Sequence, residues 1–335
     1  MERTNDTYGS TINEERKCKM KGYKWFNPDF TCKGKQYQEN TVFEESEAKI
    51  CENGMHFCEN PFDVLDYYDL INFDGTPNEF AGVEALDEPK TDDQKKFCSR
   101  KLKIGVKLGL SGFIKACVDF VLEKTISEAP SENVDSGNSA RIGSSGDYAQ
   151  IGSSGDYAQI GSSGYSAQIG SSGNSARIGS SGNSAQIGSS GYSAQIGSSG
   201  YSARIGSSGY SARIGSSGYS ARIGSSGDYA RIGSSGDYAR IGSSGDYAQI
   251  GSSGYSARIN CTGSDSVICC AGDGSVVKAQ IGCWITLAEW KYDGAKGRYV
   301  PVCVKTEYVD GERIKADTPY MLRNGEFVEA ESDGD

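Results

Sequence analysis

The chain has one histidine, His56, in 335 residues. A multi-histidine metal centre therefore has no ligands, and a Ser–His or Cys–His pair has a single candidate base. The setting of that histidine, "GMHFC", reads as structural. Cys51 and Cys58 stand around it at C-x6-C, which is not a zinc spacing. No run reaches the ~18–20 apolar residues of a membrane helix. The opening "MERTNDTYGS" has no apolar core of a secretory signal. No membrane partner is expected, and the expected compartment is the cytoplasm, where scattered cysteines, eleven and hence odd in number, read as reduced thiols. No glycine-rich loop leads through Lys into a helix, which excludes a phosphate loop, and no G-x-S-x-G elbow is present. Flat threonine arrays of the ice-binding kind are missing too. Neither a cofactor nor a metal is expected.

What the chain has in excess is glycine, 45 residues, most of it in one phrase such as "YSARIGSSG". Ile recurs every nine residues from Ile142 to Ile259, and the period runs on through Ile268 and Val277 as the phrase decays. A flexible Gly/Ser linker needs no large aliphatic residue in register, and the glycines oppose a helix. Fixed self-similarity at a short period means stacked units. In "S-A-R-I-G", Ala and Ile lie two apart, so a strand turns both inward and turns the intervening Arg or Gln outward. The "GSSG" that follows suits a tight corner. Nine residues are too few to enclose an Ile core, so two repeats per coil are expected. Sixteen register positions then give eight coils and a rod of roughly 38 Å at ~4.8 Å per strand. The calcium-binding nonapeptide roll needs G-G-x-G-x-D, which "GSSGDYARI" does not contain. "NSARIG" resembles the "NSVAIG" repeats of trimeric autotransporter adhesin heads, which are β-rolls. That resemblance implies strands and does not bring an adhesin function.

The expected fold class is therefore mainly β: a parallel β-solenoid flanked by a small α+β domain and an antiparallel β cap. A polar N-terminus, 1–22, precedes an α+β domain at 23–135. Within it, "GYKWF", "FAGVEAL" and "RKLKIGVKL" read as strands, and "NPFDVLDYY" reads as a short helix from Asn60 with Pro61 first. A second helix at 112–124 puts Phe113, Ile114, Cys117, Val118, Val121 and Leu122 on one stripe, with Ser111 as N-cap. It is expected to close the N-terminal end of the rod. The solenoid occupies 136–282. The cap at 283–335 has hairpin turns at "YDGAKG", "VDGE" and "RNGE", with Trp284 and Trp290 over the last coil and an acidic tail, "EAESDGD". Adjacent Cys269 and Cys270 read as small core fillers.

"KGYKWFNPDFTCKGKQY", "CENGMHFCENPFDVLDYY" and "GCWITLAEW" together resemble a family of phage and prophage proteins of unknown function. These join such an N-terminal domain to a variable β-solenoid and a short cap. The resemblance implies expression inside a bacterium and supplies no catalytic residue. "GMHFCENPFDVLDYY" with "FAGVEAL" is also similar to a strand–helix–strand passage of ADP-ribosyltransferase folds. That likeness implies an enzyme-like domain, active or inactive, with Glu84 as the one acidic candidate.

The outward rows carry the functional expectation. Alternate repeats align Gln150, Gln168, Gln186, Arg204, Arg222, Arg240 and Arg258 on one side, and Arg141, Gln159, Arg177, Gln195, Arg213, Arg231 and Gln249 on the other. Eleven of the twenty tyrosines fall among the repeats, and Tyr229 and Tyr238 lie two before Arg231 and Arg240, which an unbroken strand puts on one face. Arg and Tyr dominate binding hot spots and stack on bases. Neighbouring arginines repel, so an anion, or Asp237 and Asp246, is expected to compensate. The candidate ladder is Arg204, Arg222, Arg240, Arg258, Arg213, Arg231, Tyr229 and Tyr238. The expected function is a non-enzymatic interaction protein that engages a host bacterial protein, in a counter-defence role or as a competitor for a nucleic-acid site. Direct nucleic-acid binding and an ADP-ribosyltransferase-like domain are the alternatives, and a homo-oligomer is compatible with all three. A net charge of only +3 over 141–259, against −13 elsewhere, speaks against direct nucleic-acid binding.

Overall fold

The computed structural model describes residues 20–50, 52–72, 76–127 and 137–330, without the side chains of 122–127. The polar N-terminus, the acidic end 331–335 and the Leu122 side chain lie outside that description. Residues 20–107 form a six-stranded sheet domain: β1 (Lys21–Phe26), β2 (Thr31–Cys32), β3 (Lys35–Gln36), β4 (Val42–Glu44), β5 (Met55–Cys58), α1 (Pro61–Tyr67), β6 (Glu79–Ala85), β7 (Lys96–Ser99) and β8 (Lys101–Lys107). The sheet order is β4-β8-β6-β1-β5-β7, with β2 and β3 as a separate hairpin. The β1, β6 and β8 strands are those read from the sequence. α1 begins where expected: Asn60 caps it by accepting from the Phe62 amide, and Pro61 opens the helix.

α2 (Gly109–Ser127) starts earlier than its sequence reading. The Gly112 amide already donates to the Leu108 carbonyl (3.1 Å), so Ser111 lies inside the first turn and is not the N-cap. Gly109, at φ +59, makes the sharp exit from β8 that permits this.

The repeats form sixteen four-residue strands, from β9 (Arg141–Ser144) to β24 (Val276–Ala279). Odd-numbered strands stack in parallel in one sheet and even-numbered strands in another, in register at eighteen-residue steps, as in Ile196↔Ile214 and Ile205↔Ile223. Two repeats thus make one coil, and eight coils make the rod. Ile and Ala point inward and form one column of buried side chains from Ile142 to Val277. The coils are tied by backbone bonds such as Arg213 N–H to the Ala194 carbonyl (2.8 Å).

The second glycine of "GSSG" is required by this stacking. A Cβ on Gly218 would stand 1.8 Å from the carbonyl oxygen of Gly200, one coil below. No side chain fits that approach.

Past β24 the chain caps the rod with β25 (Trp284–Asp293), β26 (Arg298–Tyr308), β27 (Tyr320–Arg323) and β28 (Glu326–Glu329). β25 extends the odd sheet in parallel register, Ile268↔Ile285, then turns back antiparallel into β26. β27 and β28 close the even sheet around the turn at Asn324–Gly325, both at positive φ. The end is sealed by Ile285, Leu287, Val309, Ile314, Tyr320 and Leu322. Trp284 corrects the sequence expectation: it is half exposed against Tyr308, because it occupies an outward register position. Trp290 does reach the last coil, donating to the Ala271 carbonyl (2.8 Å). Cys270 is buried as a core filler, whereas Cys269 alternates to the outside and is exposed. Among the described residues every cysteine is free.

The position of α2 is a second correction. It does not close the end of the rod. It lies along the outer side of the even sheet, over the strands that begin at Gln150, Gln168, Gln186, Arg204 and Arg222. The apolar stripe is the one read from the sequence; the surface it covers is a flank. The first glycine of each even "IGS" leaves a smooth track there. Val118 rests over Gly170 and Gly188, Ile114 over Gly188 and Gly206, and Leu110 over Gly224.

Candidate binding faces of the solenoid

The even row of outward side chains is occupied from within. α1 and the turn after it present Asp63, Asp66 and Asp69, three residues apart, along the row. Arg222 and Arg240 pair with Asp69 at 3.1 and 3.2 Å, and Arg204 reaches Asp66 at 4.0 Å. Gln186 donates to Asp66 (2.9 Å), and Gln168 bonds Asn60 (3.2 Å) and Asp63 (3.4 Å). Burial, and then the neighbouring Arg222, lower the pKa of Arg204 and of Arg240; the aspartates offset that cost. Further along, Asn260 donates to Thr76 (2.9 Å).

The expectation that Arg204, Arg222 and Arg240 are displayed is therefore corrected: the chain's own sheet domain covers them. Arg258, on the same row, is half-buried. Asp237 and Asp246, expected to offset Arg240 and the row beside it, instead accept backbone amides of the next coil, from Tyr255 (2.7 Å) and Ser264 (2.7 Å). Corner geometry turns them toward the stacking axis.

The odd row is open. Arg141, Arg177, Arg213 and Arg231 are exposed, as are Gln159 and Gln249. Beside them runs a second glycine track, Gly143, Gly161, Gly179, Gly197, Gly215, Gly233 and Gly251. A Cβ at any of these seven would meet nothing within 4 Å. Row and track together line an open groove of about 1380 Å³ that ends at Val267 and Cys269. Glycine inside a strand costs roughly 0.5–1 kcal/mol against Ala, and no contact among the described residues requires it on this side.

Two tyrosine ladders run along the corners. Tyr192, Tyr210, Tyr229 and Tyr247 follow one another with centroids 5.0–5.2 Å apart. Tyr201, Tyr219, Tyr238 and Tyr255 form the second ladder at 5.0–5.6 Å. Tyr229 and Tyr238 adopt φ of 56° and 55°, so they sit in left-handed turns rather than in the strand, and the alternation argument for their direction fails. Tyr229 nonetheless lines one hollow with Tyr210, Arg213 and Arg231. Of the candidate ladder, the structure thus brings Arg213, Arg231 and Tyr229 together on an open surface. Tyr238 is exposed in the other ladder. The glycine track was the surface feature missed in the sequence; its signal was a glycine fixed at one phrase position while Tyr/Asn/Asp and Arg/Gln varied beside it.

The sheet domain has two hollows. One, of about 650 Å³, is lined by Lys21, Tyr23, Glu59, Glu84 and Lys103 among others. The other, of about 180 Å³, holds Lys24, Cys32, Tyr37 and His56. His56 and Glu84 therefore do not share a cavity. Burial, then Lys33 and Lys24, push His56 down to about 4, which keeps it neutral at neutral pH. Lys24 is buried, and its ammonium donates to the His56 carbonyl (3.2 Å) and to Cys32 Sγ (3.5 Å). Among the described residues no group of three His, Cys, Asp or Glu is placed to hold a metal, and no helix is long and apolar enough to cross a membrane.

Fold and surface define a β-solenoid with a sheet domain docked along one flank. Residues 20–116 match a family model described as a domain of unknown function (DUF7666), which spans the sheet domain and the start of α2 and none of the repeats. No curated protein and no solved structure matches the chain.

Proposed function

We propose that the protein is a non-enzymatic, phage-type β-solenoid interaction protein that holds its odd face toward a macromolecule of a bacterial host, in a counter-defence role. One observation carries this reading. Two chemically matching faces are built from the same phrase; one is covered by the chain's own acidic helix–turn, and the other is left open with Arg213, Arg231 and Tyr229 around it. Arg and Tyr on a rigid, water-exposed platform are the residue types that anchor protein interfaces. The phage resemblance of the sheet domain and cap supports the host setting.

The test is capture from a bacterial lysate by the full chain and by an Arg213→Gln/Arg231→Gln variant. Loss of specific components with the variant is expected; an identical set of captured components would refute the role of the odd face.

A second reading rests on the 650 Å³ hollow that contains Glu84. It treats the sheet domain as ADP-ribosyltransferase-like. NAD⁺ turnover that Glu84→Gln abolishes would favour it over the first.

A further inference from the structure

Building on that reading, we infer that the odd face is a docking track for an amphipathic α-helix of another protein, one with a β-branched or leucine stripe and carboxylates beside it. The molecule itself supplies the template. On the even face, Leu110, Ile114, Val118 and Val121, at helical spacings of four, four and three, bear on glycines 170, 188, 206 and 224, while Asp66 and Asp69 neutralise the arginine row alongside. The odd face repeats each half of that receptor in the same strand register: a glycine track, with an Arg/Gln row two residues upstream.

Three observations favour this occupant. First, the internal copies have diverged at tolerant positions: Asn174 and Asn183 replace Tyr, and Gln alternates with Arg. The track glycine changes only at Asn260, Cys269 and Lys278, at the C-terminal end of the rod. On the odd side no contact among the described residues accounts for that constancy, since a Cβ would meet nothing within 4 Å. A closely approaching helix is a cause.

Second, charge selects the occupant. Among the described residues, Arg141, Arg177, Arg213 and Arg231 have no carboxylate within ion-pair distance, whereas Arg204, Arg222 and Arg240 do. Odd face against odd face would oppose these arginines, which disfavours a second copy.

Third, the seven track glycines and the row beside them are flat. Ridges of helix side chains need such a surface to approach closely, as α2 demonstrates. Four guanidinium groups spread over seven row positions, on a chain of net charge −10, make a poor phosphate track by comparison.

The probe is a labelled 19-residue helical peptide. It bears Leu, Ile, Val and Val at the spacing of Leu110, Ile114, Val118 and Val121, with glutamates on the flanking positions. Titration against the full chain, followed by fluorescence anisotropy, should show saturable binding. That binding should weaken at least tenfold with Gly215→Trp, with Arg213→Glu/Arg231→Glu, or with lysines in place of the peptide's glutamates. Gly215→Trp has open space around the new side chain, so an unchanged thermal transition is its folding control, and the double Arg variant gives an independent route. In the complex, alkylation of Cys269 at the end of the groove should slow.

Absence of saturable binding, or binding indifferent to both variants, overturns the inference. So does a dimer on a sizing column, or retention of a labelled oligonucleotide, that Gly215→Trp abolishes while the peptide stays unbound; either would leave the wider interaction reading standing. If neither peptide, oligonucleotide, second copy nor any lysate component responds to Gly215→Trp, both fail together.

Discussion

The even and odd flanks of the rod are written in one phrase and end in different states. On the even side Gly206 lies under Ile114, and a Cβ there would come within 2.8 Å of it. On the odd side Gly215, at the same place in the phrase, faces open space. Arg222 meets Asp69, while Arg213 faces solvent. The difference does not lie in the repeats. It lies in which flank α1 and α2 cover, so identical local chemistry becomes a packed interface in one place and a free surface in the other.

Substitutions can break this comparison in a graded way. The largest effect should come where the two flanks agree. Gly218→Ala forces a Cβ into the carbonyl of Gly200, and a loss of about 3 kcal/mol is expected from overpacking; a melting temperature within a degree of the parent would show that the coils can separate to accommodate it. Next comes the asymmetric pair. Gly206→Val should cost about 1–3 kcal/mol and loosen the sheet domain from the rod, whereas Gly215→Val should be neutral or stabilise by about 0.5 kcal/mol. Equal changes in chemical denaturation would erase the distinction between flanks.

A smaller difference is expected for charge. Asp69→Asn leaves Arg222 and Arg240 without their carboxylate, and because those groups are partly solvated the cost should be about 1 kcal/mol. Arg213→Gln on the open flank should stay within about 0.5 kcal/mol. Salt titration of the Asp69 variant checks the electrostatic origin, since the gap between parent and variant should shrink at high ionic strength.

The last effect is absent at neutral pH and appears only on acidification; it separates the sheet domain from the solenoid, which has no histidine. His56 is a base whose folded pKa is depressed, from 6.5 to about 4. Below 6.5 the unfolded chain takes up a proton that the folded one refuses, so this group's contribution destabilises progressively as pH falls from 6.5 to about 4, and is absent above that window. His56→Gln should remove that part of the acid sensitivity. Parallel stability–pH curves for parent and variant between pH 7 and 4 would show that the side chain is not buried as described.

How much of this was legible depended on whether the signal was local. The nine-residue recurrence of Ile, with Ala two before it, is a backbone-scale pattern, and it yielded strand identity, inward and outward faces, two repeats per coil and eight coils. Asn60–Pro61 carried the start of α1 in the same way. Ser111 misled because Gly109 had already turned the chain into the helix. Trp284 misled because aromatic bulk says nothing of which side of a strand it takes. Tyr229 misled because the alternation rule was applied across a left-handed turn. The alternating Arg and Gln rows were assigned to the right flanks, yet nothing in the phrase marks one flank as covered.

The sequence by itself determined the solenoid, since the period of its aliphatic residues leaves one way to bury them and the second corner glycine, from Gly164 onward, stands against the coil below with no room for a side chain. Only the tertiary structure decided which of two equivalent faces became an interface. That outcome depends on where α1 and α2 fall in space relative to the rod, a non-local matter that a local repeat does not encode. The covered arginines and the open ones are the same residue in the same phrase; the aspartates that distinguish them come from more than a hundred residues away.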